Sequence, residues 1–156
     1  MFGAAKILVP MDFSACSRLA LDYAVFFARH FGSQIDVLHV WEPPRYVIPE
    51  VTVQLPGEIR QSLADFARVE AGKEMDQLLA GVVVPSNVQL RGRLESGDPT
   101  ETVVELAAKE AFDLVVMGTH GRTGLSHVFL GSVAEKVVRR AACPVLTIRQ
   151  PGAGAG

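Results

Sequence analysis

The chain has 156 residues, 49% of them apolar and 21% charged, with a formal net charge of −2. That size suits one domain, which buries about 70% of its unfolded-chain surface without a disulfide or metal staple. The charge balance excludes the strongly basic class of general nucleic-acid binders, and the apolar fraction excludes disorder.

No apolar run approaches the roughly 20 residues of a membrane span. Met1 to Lys6 lacks the order of a signal peptide, so a cytoplasmic location is expected, with no membrane partner. Cys16 and Cys143 form neither a metal spacing nor a dense disulfide framework, and read as reduced, buried thiols.

Ile7-Leu8-Val9 predicts a short buried strand, stopped by Pro10. Asp12 and Ser14 then offer helix caps. Leu19, Tyr23, Phe27 and Phe31 recur every four residues and predict an amphipathic helix over residues 15–31, closed by Gly32. Ile35 to Val40 predicts a second strand. Residues 41–57 hold four of the nine prolines, with Trp41 and Tyr46, and read as a long functional or mobile loop. Glu58 to Leu79 returns to helical spacing, with Ile59, Leu63, Phe66, Met75 and Leu78 inward. Val88, Leu90 and Leu94 mark a strand that Arg91-Gly92-Arg93 interrupts. Asp98-Pro99-Thr100-Glu101 combines a cap, a proline at the first helical position and a glutamate three residues after the cap. Its helix runs to about Glu110. Leu114 to Met117 is apolar throughout, as a central parallel strand should be. A glycine-rich stretch follows from Gly118 to Gly131. Ser132-Val133-Ala134-Glu135 reads as a second capping box, opening a helix. Pro144 to Ile148 predicts the last strand, in a single domain over 1–150 with a flexible tail over 151–156.

Strands and helices therefore alternate from end to end. That order predicts an α/β fold, a parallel sheet with helices on both faces. Ligands of such sheets bind past the strand C-termini, where the strand order reverses. The rule points to Pro10–Ser14, to Val40–Pro44, and to Gly118–Ser132. Charge points the same way. Residues 1–117 hold ten Lys/Arg against sixteen Asp/Glu, and the rest hold five against Glu135 alone. The C-terminal third is thus locally positive, which suits an anionic ligand.

The glycine-rich stretch is neither a Walker A loop nor GxGxxG. Its physics is related. Glycines let backbone N–H groups approach a phosphate, a helix N-terminus favours the anion, and Arg122 adds charge-assisted contacts.

Gly118, two residues, Gly121, nine residues, Gly131 and Ser132 together match the ATP-binding signature of the universal stress protein family, which the chain resembles. Ile7 to Ser14 resembles the family's first strand and turn, Gly97-Asp98-Pro99 its turn before the third helix, and Cys143-Pro144-Val145-Leu146 its final strand. The match runs over about residues 5–150. The resemblance implies a Rossmann-like three-layer α/β/α sandwich of the adenine nucleotide alpha hydrolase type. Its five-stranded parallel sheet has the order 3-2-1-4-5, and a homodimer pairs through the last strand, about Pro144 to Ile148. It implies ATP, with Mg²⁺, in a stress-response regulatory module, and at most weak ATPase activity. Carried over by position, Asp12 and the backbones of Pro10 and Met11 hold the adenosine end. Val40 pairs with adenine through its main chain, and Met117 and Gly118 line the ribose. Gly121, Arg122, Gly131, Ser132 and Val133 hold the triphosphate. The family often has Thr where this chain has Met11.

Other readings stand beside these. Asp12 and Ser132 also fit as plain helix caps. His120 and His127 lack a third metal ligand at a suitable spacing and read as solvated loop histidines. Arg122 fits as a surface residue, Trp41 and Tyr46 as packing aromatics, and His39 as a satisfied polar group on a buried strand. A ligand-independent dimeric scaffold and a slow ATP hydrolase remain the alternative functions.

Overall fold

A computed structural model describes residues 5–42, 52–54, 56–57, 61–120 and 130–151. The elements are β1 (Lys6–Pro10), α1 (Ala15–Phe31), β2 (Gln34–Trp41), β3 (Thr52–Val53), β4 (Gln61–Ser62), α2 (Leu63–Ala80), β5 (Gln89–Ser96), α3 (Pro99–Lys109), β6 (Leu114–Gly118), α4 (Ser132–Arg140) and β7 (Val145–Ile148). Five strands form one sheet in the order β5-β2-β1-β6-β7. Every neighbouring pair in it is parallel. The strand numbering differs from the expected one because of an antiparallel pair, β3–β4, that the sequence did not announce. With that pair set aside, the sheet reads 3-2-1-4-5.

Each face of the sheet has its own core. Ile7, Val9, Ile35, Val37 and Val116 pack with α1 and with Met75 of α2. Leu8, Leu38, Val115 and Met117 pack with Val103 and Ala107 of α3 and Ala134 and Val137 of α4. Alternation along each strand sends successive side chains to opposite faces, so both faces are apolar and the strands read as continuous hydrophobic runs. Among the described residues, no helix is long and apolar enough to cross a membrane. Both cysteines are free thiols, Cys16 buried and Cys143 half-buried, and burial pushes the Cys143 thiol up.

Helices α1, α3 and α4 start where the sequence says, α2 starts later, and α1 faces differently. Ser14 caps α1 by accepting from Ser17 N, and Gly32 closes it at φ 64°, its N–H donating to Ala28 O. The buried stripe of α1 is Cys16, Ser17, Ala20, Leu21, Ala24, Val25 and Ala28. The four-residue aromatic stripe lies at its margin, with Tyr23 45% and Phe31 55% exposed. Alanines on the central line let the helix come close to the sheet, where rings would hold it away. Helix α2 starts later than its periodicity suggests, at Leu63 behind a Ser62 cap. Ile59 lies outside the described residues. Asp98 caps α3 as expected, but Glu101 binds Arg140 of α4 instead of turning back on its own cap.

Arg91-Gly92-Arg93 does not interrupt β5. Gly92 faces α2, where a Cβ would lie 2.7 Å from Met75 Cγ. Arg91 and Arg93 face the other side, beyond the cover of α3 and α4, and there meet Asp36 of β2, which is fully buried. Arg91 grips Asp36 with Nε–Oδ1 at 2.8 Å and Nη2–Oδ2 at 2.7 Å. Gln34 Nε2 donates to the same carboxylate at 2.7 Å, and Arg93 bridges it to Glu110. Burial raises the Asp36 pKa, yet the hydrogen bonds from Arg91, Gln34 and Arg93 outweigh it and hold the carboxyl below its ordinary value. Arg93 likewise lowers Glu110.

Both folded-state pKa values lie below the unfolded ones, so the stabilisation is complete above about pH 5 and is lost progressively as pH falls through the folded values. Asp36→Asn is expected to cost about 2 kcal/mol at pH 7, less than the 3–5 typical of a fully buried pair because Arg91 is half exposed. Urea midpoints at pH 7 and pH 3 check this. The gap between variant and parent should narrow from pH 7 to pH 3, and a gap that does not narrow contradicts the account.

Candidate functional site

At the C-terminal ends of β1, β2 and β6 a cleft of about 740 Å³ opens between the turns that follow these strands. Its walls include Pro10, Met11, Asp12, Val40, Met117, Gly118, Gly131, Ser132 and Val133. Gly121 and Arg122, as well as His127 and Tyr46, lie outside the described residues.

The wall from β1 is a tight turn. Met11 N donates to Leu38 O at 2.8 Å, which extends the β1–β2 ladder by one residue. The chain then leaves the sheet at Phe13, whose φ of 63° is left-handed. Asp12 Oδ1 accepts from Ser14 N at 3.0 Å and from Ser14 Oγ at 2.5 Å. Asp12 therefore braces the turn, while Ser14, not Asp12, caps α1. The Met11 amide is committed to the sheet, so only its carbonyl side is left for the contact expected of its backbone. That carbonyl already accepts from His39 Nδ1 at 2.8 Å. A carbonyl only accepts, so Nδ1 carries the hydrogen. His39 is the satisfied polar group the strand pattern suggests.

Val40 presents its backbone to the cleft. Leu38 O faces β1, and Trp41 O faces β5, where it accepts from Gly97 N at 3.1 Å. In a parallel strand the N–H and C=O of one residue face the same neighbour, and successive residues alternate. The main-chain pair of Val40 thus faces the β1 side. β1 ends at Pro10, opposite Leu38, and the turn at Phe13 carries the chain away. Among the described residues, a donor and an acceptor are left side by side at the cleft wall.

The opposite wall is the start of α4. Gly131 holds the cap position with no side-chain cap bond, and Ser132 is the first helical residue. The expected capping box is thus not formed, because the cap position falls one residue earlier, at a glycine. The neck of the glycine-rich stretch sets this position. Gly131 N donates to Thr119 O at 2.7 Å, and Thr119 N donates to Ile148 O at 2.9 Å. Helices α1, α2 and α3 all spend a side chain on their first turn. Gly131 offers none to the first amides of α4, and they carry the positive end of the helix.

His120 differs from its expected role. Its Nδ1 lies 2.9 Å from Thr119 Oγ1. Its Nε2 is the one buried side-chain N or O atom among the described residues without a hydrogen-bond partner. Thr119 and His120 lie in the stretch to which the strand-order rule points, and Pro99 and Val103 are cleft residues that sequence reasoning missed. Pro99 and Val103 were findable, because the Asp98 cap follows directly on the end of β5. Among the described lining residues there are two carboxylates, Asp12 and Glu42, and neither lysine nor arginine. No described group of three His, Cys, Asp or Glu could hold a metal ion.

Two of the spaced glycines have steric reasons. A Cβ on Gly131 would sit 2.8 Å from Thr119 O, and one on Gly118 would sit 2.9 Å from Cys16 Sγ and 3.0 Å from Cys16 C. Neither glycine has positive φ, so close approach and not backbone conformation demands them.

Residues 4–149 match the model of the Universal stress protein family. Universal stress protein MJ0531 of Methanocaldococcus jannaschii is 34% identical over 146 residues, which is 94% of this chain and 82% of that protein. The solved structure of MJ0577 superposes with a TM-score of 0.74 at 25% identity, over 97% of this chain and 99% of that one. A universal stress protein in complex with cAMP superposes with a TM-score of 0.63 at 22% identity, over 92% and 95% of the two chains. An Arabidopsis thaliana member with AMP bound gives 0.59 at 19%, over 97% and 95%.

The steric account of the glycines makes a prediction. Gly131→Ala should lose about 1–3 kcal/mol by overpacking. Gly72→Ala, in mid-helix with 3.6 Å to Leu94 Cδ1, should gain about 0.5–1 kcal/mol. Denaturant unfolding of both variants checks this. Equal effects would show that the neck has room to spare.

Proposed function

The chain belongs to the universal stress protein family, and from that premise we propose that it binds an adenine nucleotide, ATP with Mg²⁺, as a cytoplasmic stress-response regulatory module. One observation carries the reading. Among the described residues, the cleft sets a backbone donor–acceptor pair at Val40 that has no backbone partner across from a helix N-terminus whose cap residue, Gly131, offers no side chain. Adenine offers a matching acceptor and amino donor to the first. Phosphate oxygens suit the second. Met117 and Gly118 lie between the two, where the ribose would sit.

The unpartnered Nε2 of His120 and the hydroxyl of Ser132 add polar groups beside the expected phosphates. Gly121, Arg122 and Val133 complete the phosphate set in this reading. With no described metal group of protein ligands, Mg²⁺ would be held through the phosphates and water. The nucleotides in the cAMP and AMP complexes of two similarly folded proteins are in keeping with an adenine ligand. The proposal includes a homodimer through β7, which is an edge strand of the sheet.

A second reading is a dimeric scaffold that needs no ligand, and the steric roles of Gly118 and Gly131 favour it, since they explain two of the spaced glycines without a phosphate. Calorimetric titration with Mg·ATP separates the two. The nucleotide reading expects saturable one-site binding, weakened about tenfold or more in Asp12→Asn and unaffected in Asp76→Asn on the exposed side of α2. Purified protein, denatured and examined by mass spectrometry, should also release an adenine nucleotide. No heat of binding and no nucleotide mass would leave the scaffold.

A further inference from the structure

The residue after Asp12 is held in a conformation a phenylalanine rarely adopts, φ 63°. Such a conformation persists only where the surroundings fix it. Two contacts do so here. Arg18 Nε donates to Phe13 O at 3.2 Å from the solvent side. His39, on the neighbouring strand, packs its ring against that of Phe13 with centroids 4.7 Å apart. The same imidazole donates from Nδ1 to Met11 O, on the other side of Asp12. One side chain of β2 thus fixes the carbonyl before Asp12 and the ring after it.

We propose that His39 is a positioning residue, which from β2 clamps both flanks of Asp12 and so holds its carboxylate toward a nucleotide in the cleft. This rests on the nucleotide reading above. The geometry sets which substitutions work. Asn places its amide N–H close to the position of Nδ1, whereas Gln extends its amide to the position of Nε2, away from Met11 O.

The test is a set of Mg·ATP titrations on the full chain, with thermal unfolding of each variant. His39→Leu should weaken binding about tenfold, the loss expected of one hydrogen bond that orders the site. His39→Asn should restore most of that loss, and His39→Gln should not. In an Asp12→Asn background, His39→Leu should cost little more, because His39 acts through Asp12. Unfolding curves of the Leu and Gln variants should stay cooperative. The proposal is overturned if His39→Leu binds as the parent does, if Gln rescues as well as Asn, or if the tenfold loss persists undiminished without Asp12. A parent protein that binds no ATP overturns the nucleotide reading itself, which is a different result from a parent that binds and a His39 variant that binds equally.

Discussion

β1 has parallel neighbours on both sides, β2 and β6, and Ile7, Leu8 and Val9 are completely buried between two helical layers. The rest of the molecule follows from that position. Crossovers between parallel strands are right-handed. The chain moves outward from β1 through β2 to β5, which places α1 and α2 on one face. It then crosses back to β6 and on to β7, which places α3 and α4 on the other. The connections after β1 and β6 therefore leave the sheet toward opposite faces. The gap between them is the cleft, and it exists because the strand order reverses there.

Two kinds of interaction hold the rim of that gap. The turn after β1 is fixed by short-range hydrogen bonds of Asp12 and Ser14 and by His39 from the next strand. The neck of the glycine-rich stretch is fixed by backbone bonds, Gly131 to Thr119 and Thr119 to Ile148, at a separation that excludes a Cβ. Far from the cleft, on the face of β5 opposite α2, a buried carboxylate with two arginines takes the place of an apolar layer. Charges facing inward at an outer strand also discourage pairing with another sheet edge.

Local signals in the sequence were legible where one residue decides the structure. Gly32 and Asp98 end and begin their helices as their chemistry requires. The apolar runs of β1, β2 and β6 gave the parallel sheet, and the rule of the reversed strand order then located the cleft. The residues expected there that are described do converge on it. Signals that depend on a partner far along the chain were not legible. Arg91 and Arg93 look like a break in a strand until Asp36, 55 and 57 residues away, is placed opposite. The face of α1 depends on how closely the sheet allows it to approach, which favours Ala20, Ala24 and Ala28 over the larger stripe beside them. The cap of α4 moved from Ser132 to Gly131 because the neck bond to Thr119 sets where the helix begins.

The central claim is that the backbone edge of Val40 and the uncapped start of α4 receive the two ends of one adenine nucleotide. Amide nuclear magnetic resonance shifts during addition of Mg·ATP test it most directly. The account predicts saturable changes at Val40, Ser132 and Val133 with a single affinity, and none on α2 or the outer face of β5. Changes centred elsewhere, or at the α4 amides alone with Val40 unmoved, would contradict it.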